Sequence, residues 1–140
     1  MNLSAVDREQ QIFDAVPQSA GAARKFVGEI LRQRGVPASV IVDFKLVVSE
    51  LVANAIEHGD GSGLTVVVEF SDHQWWEIGV IGGSDLSEDN LKTVNTLNVL
   101  GPDHTSGRGL GIVRSLMNDV ITDVSDGRIR TRGRRLRLEN

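Results

Sequence analysis

The chain has 140 residues, of which 40% are hydrophobic and 24% charged, and its formal net charge at pH 7 is −4. This is the composition of one soluble globular domain, predicted to span residues 1–140 with a core from about residue 10 to about residue 138. The chain has no cysteine, which excludes disulfides and thiolate chemistry. The sequence shows no secretory signal and no apolar run of the ~20 residues that cross a bilayer, so we expect a cytoplasmic protein without membrane contact.

The hydrophobic pattern predicts a mixture of strands and helices. An edge strand is expected at residues 10–16, then a helix from Ser19, acting as N-cap, to about Arg34, ended by Gly35. The elements expected next are a helix from about Ala38 to His58, strands at 64–70 and 75–81, a short helix at 88–97, a polar lid at about 97–108, a helix at 110–119, and strands at 120–125 and 129–138. The alternation of the last strand shifts at Gly133, which predicts a bulge or turn there. Runs of strands separated by helix pairs favour an α+β two-layer sandwich over a doubly wound sheet.

The helix that contains residues 44–59 combines a core face with a polar face. At 3.6 residues per turn its apolar arc consists of Phe44, Val47, Val48, Leu51, Val52, Ala55 and Ile56. The remaining face, on which residues three, four or seven apart stack, carries Glu50, Asn54, Glu57 and His58. A carboxylate there can take a proton, and an amide oxygen beside it can bind a hard cation such as Mg²⁺. An ordinary amphipathic helix with solvated polar residues accounts for the same pattern.

A glycine-rich segment, SGRGLGI at residues 106–112, opens directly into the predicted helix. Glycines let backbone N–H groups approach an anion closely, and a helix N-terminus adds partial positive charge. The spacing matches neither a Walker A loop, which needs Gly-Lys-Ser/Thr, nor a dinucleotide-binding fingerprint, which follows a strand. From this segment alone, both an anion-binding loop and a flexible helix entry remain open.

Six arginines fall within residues 128–137, RIRTRGRRLR, which leaves the rest of the chain distinctly acidic. Arginine is suited to phosphates and carboxylates, so this run raises nucleic acid as a partner. No aromatic residue is interleaved with the arginines, and a terminal hairpin with an arginine-rich solvent face is therefore the favoured interpretation. Direct nucleic-acid binding is not expected, while a protein partner or a phosphate stays open.

Together, ELVANAIEH at residues 50–58 and GRGLG at residues 107–111 resemble the N box and the second glycine box of the GHKL (Bergerat-fold) ATPases. Within that superfamily the chain is similar to the small bacterial serine kinases that act as anti-sigma factors in partner-switching systems. The resemblance implies a two-layer Bergerat fold, whose mixed, mostly antiparallel sheet carries helices on one face. It also implies ATP and Mg²⁺ as cofactors, a homodimer, and a sigma factor or an anti-sigma-factor antagonist as partner.

The resemblance further implies roles for single residues. Glu50 would be the catalytic general base, Asn54 the ligand of the Mg²⁺ that bridges the phosphates, and His58 a neighbour of the phosphates. The residues that would wrap the phosphates under the lid are Gly107, Arg108, Gly109, Leu110 and Gly111. These roles agree with the chemistry that the residues of both segments indicate on their own.

Two positions depart from the family pattern. Gly82 replaces the aspartate that accepts the adenine amino group, and Asp85, the nearby candidate for that role, lies beyond the predicted strand end. Gly133-Arg134 stands where the family has a Gly-Thr pair, whose threonine supports that aspartate. One charged-acceptor hydrogen bond is worth about 1.5–3 kcal/mol, or roughly one to two decades of affinity. Weak or altered nucleotide binding therefore stays open beside intact phosphate and Mg²⁺ contacts.

Three functions follow from these observations. The first is an ATP-dependent kinase that phosphorylates a serine or threonine on a small antagonist, which the intact Glu50 and Asn54 favour. The second is a binding module that sequesters a sigma factor or antagonist without ATP turnover, which Gly82 and Arg134 favour. The third, a histidine-kinase catalytic domain separated from its dimerisation helices, is disfavoured because no phosphoacceptor-bearing helical hairpin precedes the domain.

Overall fold

The computed structural model describes residues 6–71, 74–83 and 105–137. The elements in chain order are β1 Val6–Phe13, α1 Ser19–Gln33, α2 Ala38–His58, β2 Leu64–Ser71, β3 Trp75–Gly83, α3 Thr105–Leu116, β4 Asp119–Ser125 and β5 Arg128–Leu136. The strands form one five-stranded sheet in the order β1-β2-β3-β5-β4. The predicted α+β two-layer fold is confirmed, although the pairings among the described strands are all antiparallel, where a mixed sheet was expected.

Alternation along the strands gives the sheet one face covered by the helices and one open face. On β5, Ile129 and Thr131 are buried toward the helices, whereas the open face carries Arg128, Arg130, Arg132 and Arg134. Residues from both layers fill one hydrophobic core, among them Val27, Leu31, Phe44, Val48, Leu51, Val66, Val68, Ile78, Val80 and Val113. The arginine-rich hairpin expected from the sequence is present, and its turn at Asp126-Gly127 has positive φ angles of 53° and 73°, as a two-residue hairpin turn requires.

α2 is the central helix of the covering layer. It packs against α1, α3 and the sheet, and its apolar arc from Phe44 to Val52 is almost fully buried, at 0–1% exposure for each core residue of that stretch. α1 ends before Gly35, whose φ of 72° stops the helix as predicted. None of the described helices is long and apolar enough to cross a membrane.

Two features near the N-terminus differ from the sequence prediction. β1 begins at Val6 and ends at Phe13, because eight consecutive residues pair with β2, a partner distant in sequence that the local pattern does not reveal. Ser19 is not the N-cap of α1. Gln18 occupies that position without a side-chain cap, while Ser19 is the first helical residue and is buried.

Gly133 is the site of a third difference, since no bulge interrupts β5. The register runs unbroken through Gly133, which pairs with Ile78 on one side and Val120 on the other. A Cβ at this position would lie 2.9 Å from Cγ of Met117. The glycine therefore makes room for a side chain that arrives just after α3, and the shifted sequence pattern reflects packing rather than a broken strand.

α3 begins at Thr105, five residues earlier than predicted, and its described helix ends at Leu116. Glycines lower helix propensity by about 1 kcal/mol each relative to alanine but do not forbid helical dihedrals, so three of them mark a helix start in sequence without fixing it in space. Asp85, the predicted helix at 88–97 and the lid residues 97–104 lie outside the described residues.

Candidate functional site

Three of the predicted site residues form one row on α2. Glu50, Asn54 and His58 follow each other at intervals of four residues within the helix, so their side chains lie along one ridge. Glu50 and His58 are half-buried, and Asn54 is only 7% exposed. The row therefore enters the protein at Asn54 instead of lying wholly in solvent.

The contacts of α2 show which flank carries this row. Arg24 of α1 donates a hydrogen bond to the Ser49 hydroxyl at 2.9 Å, which marks the α1 side. Arg135 of β5 pairs with Asp43, which marks the opposite side. At 100° per residue Asp43 lies about 20° around the helix from Asn54, whereas Ser49 lies about 140° away. Since α3 also packs on α2, the row faces the flank that α3 and β5 share.

Asn54 has a feature that an ordinary core amide lacks. Its side-chain oxygen Oδ1 is buried and accepts no hydrogen bond from the described part of the chain. A buried acceptor without a partner costs about 1–3 kcal/mol, so such atoms call for an explanation such as a bound ion or water. Amide oxygens are ligands of Mg²⁺. The position and chemistry of Asn54 thus fit the metal role expected from the sequence.

The end of β3 meets the end of α2 beside this row. The Asp60 N–H donates a hydrogen bond to the Gly83 carbonyl at 3.0 Å, immediately after α2 ends. A Cβ placed on Gly82 would lie 3.9 Å from Cβ of Ala55 and 3.1 Å from Cδ2 of Leu64. The structure therefore brings the polar helix and the glycine-containing strand end together, with an apolar lining at Gly82 and no side-chain acceptor from that residue.

The strand register corrects one expectation about this region. Arg134 lies across from Glu77, near the other end of β3, and is not a neighbour of Gly82. Ile129 is the residue that pairs with Gly82. The threonine of β5 is Thr131, two residues from Ile129; it is buried on the covered face, and its hydroxyl lies 3.1 Å from that of Thr122. Matching the Gly-Thr pair by its glycine alone gave the wrong register, because Gly133 accommodates Met117 instead.

The glycine-rich segment is placed on the same side of the molecule. Gly107 to Gly111, including Arg108, Gly109 and Leu110, have helical backbone in the first turns of α3, so the expected loop is wrong for the described residues. α3 packs against α2, which brings these turns to the flank that carries Glu50 and Asn54. Only the first N–H groups of a helix lack a partner within it, so in this segment those nearest Thr105 remain for an anion, which the partial positive charge of the helix N-terminus favours. Their roles toward phosphates stay predictions.

Asp60 is a residue of this region whose environment the sequence did not reveal. Its carboxylate accepts hydrogen bonds from the hydroxyl and, at 2.9 Å, from the backbone N–H of Ser62. These two bonds lower the pKa of Asp60 below its ordinary value. The Asp-Gly-Ser spacing, a frequent turn in which an aspartate bonds two residues on, is the signal that could have found it.

A two-layer fold with a buried amide oxygen, a carboxylate one turn away and a helix start beside them has the parts expected of a nucleotide-binding domain. Residues 13–139 match the histidine kinase-like ATPase domain family, and the chain belongs to that family. The fold is similar to that of a crystal structure of the RsbU and RsbW domains of Rv1364c from Mycobacterium tuberculosis, with a TM-score of 0.67 and 23% identity. The match covers 93% of this chain and 32% of that one. Comparison with curated proteins gave no match.

Proposed function

We propose that this protein is an anti-sigma-factor-type regulator that binds ATP with Mg²⁺ and phosphorylates a serine or threonine on a small antagonist partner. The observation that carries the proposal is the buried, unpartnered Oδ1 of Asn54, one helical turn from Glu50. Membership of an ATPase domain family supports nucleotide binding. Similarity in fold to a structure that contains an RsbW domain supports a partner-switching role, as does the resemblance of the N box. The proposal places this role in the cytoplasm, as expected from the sequence.

Each residue of the site has a task in this proposal. Asn54 would hold Mg²⁺ through its amide oxygen, and the bound nucleotide would supply the phosphoryl group. The N–H groups at the start of α3 would hold phosphate oxygens. Glu50, half-buried on the same ridge, would accept the proton of the acceptor hydroxyl. The hydroxyl oxygen would then be bonded to the γ-phosphorus of ATP, the bond from that phosphorus to ADP would be broken, and ADP would leave. His58 would lie beside the phosphates at the end of the row.

Calorimetric titration and phosphate transfer together test the proposal. ATP with Mg²⁺ should bind the wild type, and Asn54→Ala should weaken that binding by about tenfold or more, since it removes a metal ligand. Glu50→Gln should leave nucleotide binding intact but slow transfer from labelled ATP by about 10²–10⁴-fold, the usual contribution of a general base. Absence of binding at millimolar ATP would overturn the nucleotide part, and unchanged transfer by Glu50→Gln would remove Glu50 as base.

A second function is favoured by one specific observation. Gly82 presents no acceptor at the end of β3, and Ile129, which pairs with it, adds none. A binding module that sequesters a sigma factor or an antagonist, as a homodimer and without ATP turnover, needs no base-reading group. Stable complex formation with such a partner in the absence of nucleotide, unaffected by Asn54→Ala, would favour this module over the kinase.

A further inference from the structure

The outer surface of α2, which points away from the sheet, is unusually apolar. Val42 is 66% exposed and Leu46 is 43% exposed, and the residues beside them on this surface, Ser39 and Ala53, are small and exposed. A helix that covers a sheet normally carries charged residues on its solvent side. On α2 the exposed charged residues are Lys45 and Glu57, and Val42 and Leu46 interrupt this solvent side with an apolar patch.

Neither neighbouring element on the two flanks covers these side chains. On the α1 flank the stem of Lys45 lies against Gly28, and Arg24 contacts Ser49. On the β5 flank Asp43 holds Arg135. Val42 and Leu46 project between these two sets of contacts, and within the part of the chain that the structure describes they are left accessible to a partner. Single exposed apolar residues are common and need no explanation. Val42 and Leu46 differ from such single residues because they lie on the same helical ridge as Glu50.

Val42, Leu46 and Glu50 are successive members of the same ridge that continues to Asn54. Residues four apart advance about 6 Å along a helix and turn by about 40° around it. The ridge accordingly passes from strongly exposed at Val42 to buried at Asn54, with the half-buried Glu50 between them. An apolar surface therefore leads along one helix directly to the proposed base.

We propose that Val42 and Leu46 form a docking surface for the protein segment that carries the phosphorylated hydroxyl, and that this surface binds an apolar side chain of the segment. The inference rests on the proposed kinase function. Leu46 lies about 6 Å and Val42 about 12 Å along the helix from Glu50. An extended segment advances about 3.3 Å per residue. The apolar anchor thus lies two to four residues from the acceptor serine or threonine, and this spacing selects the substrate.

Peptide pools test this inference even before the partner is identified. Each pool contains peptides of twelve residues with one central serine, and one flanking position is fixed as leucine or, in the matched pool, as glutamine. Binding of each pool is measured by fluorescence polarisation. Phosphate transfer to each pool is measured separately, with labelled ATP and Mg²⁺. The wild type should bind pools with leucine two to four residues from the serine about tenfold more tightly than the glutamine pools, the gain expected for burying one such side chain.

Variants separate docking from catalysis. Val42→Gln and Leu46→Gln should abolish the preference for leucine without changing ATP binding. The control is Ile121→Gln on β4, because Ile121 is 46% exposed, like Leu46, but lies on the open face of the sheet. This control should keep the preference. A preference that survives both α2 variants, or the absence of any leucine-dependent binding, would overturn the inference. Leucine-dependent binding without phosphate transfer would support the docking surface and count against the kinase.

Discussion

The two faces of the sheet are built from the same strands but have opposite chemistry. The covered face packs residues such as Ile78 and Val80 into the core at 0–1% exposure. The open face carries ion pairs instead, with Arg134 3.1 Å from Glu77, Arg130 3.4 Å from Asp123, and Arg8 3.5 Å from Glu69. Apolar burial stabilises strongly, whereas exposed pairs contribute about 0–1 kcal/mol each. The free energy of unfolding should therefore depend mainly on the covered face, and its change with salt concentration mainly on the open face.

The largest expected effect comes from truncating an isoleucine on each face. Ile78→Ala should lower the free energy of unfolding by about 2–5 kcal/mol, because it leaves a cavity in the core. Ile121→Ala, on the open face, should change it by about 0.5 kcal/mol or less. Urea denaturation of both variants measures the difference. Equal losses would mean that the open face is covered in solution.

Near the end of β3 the covered face has no side chain at position 82, because this residue is Gly82. Gly82→Asp should tighten ATP binding by about tenfold or more, since it supplies a charged acceptor worth about 1.5–3 kcal/mol. Leu64 can move aside, as only its terminal Cδ2 is close to the added Cβ. Gly82→Ala, which adds the Cβ without the acceptor, is the control. If both variants bind ATP and GTP alike, the base does not lie at this position.

The open face has one pair that should behave differently from the others. Glu77 has a side chain only 9% exposed and accepts two hydrogen bonds from Arg134, at 3.1 and 3.2 Å. Glu77→Gln should cost about 1–2 kcal/mol, less than a fully buried pair because the arginines are partly solvated. Glu69→Gln, which affects a more exposed pair, should cost about 0.5 kcal/mol or less. Equal costs in urea denaturation would contradict this ranking.

The smallest effect is expected at Asp60, at the end of the sheet. Its lowered pKa means that the folded state binds a proton less readily than the unfolded chain, so its contribution to stability is present above the ordinary aspartate pKa and is lost as pH falls through the lowered value. Ser62→Ala removes the hydroxyl donor and should raise the Asp60 pKa toward its ordinary value. Carboxyl NMR titration measures this shift. An unchanged midpoint would show that the backbone N–H alone lowers the pKa.

Periodicity was sufficient to predict α2, the hairpin of β2 and β3, and the α+β class, because each depends on local alternation of apolar residues. The row of Glu50 and Asn54 followed from the same geometry. The burial of Asn54 Oδ1 could not be predicted, since it depends on the elements that pack around α2.

The errors have a common origin in contacts between residues distant in sequence. Gly133 was interpreted as a break because no local pattern shows that Met117 occupies the space above it. Matching Gly133-Arg134 to the Gly-Thr pair fails because register across strands cannot be read from one strand. The extent of β1 depended on pairing with β2 in the same way. The residue types indicate which chemistry the site can perform. Which residues are neighbours across the sheet follows only from the register of the strands.

The strand order has a consequence for how the protein is made. β5 lies between β3 and β4, so of the five described strands the one that pairs with the second edge of β3 is the last to be synthesised. Until residues 128–136 emerge, β3 has an unpaired edge within an apolar segment, which is a template for pairing with other chains. Production at low temperature or with a chaperone should therefore improve yield, and chains truncated after α3 should aggregate.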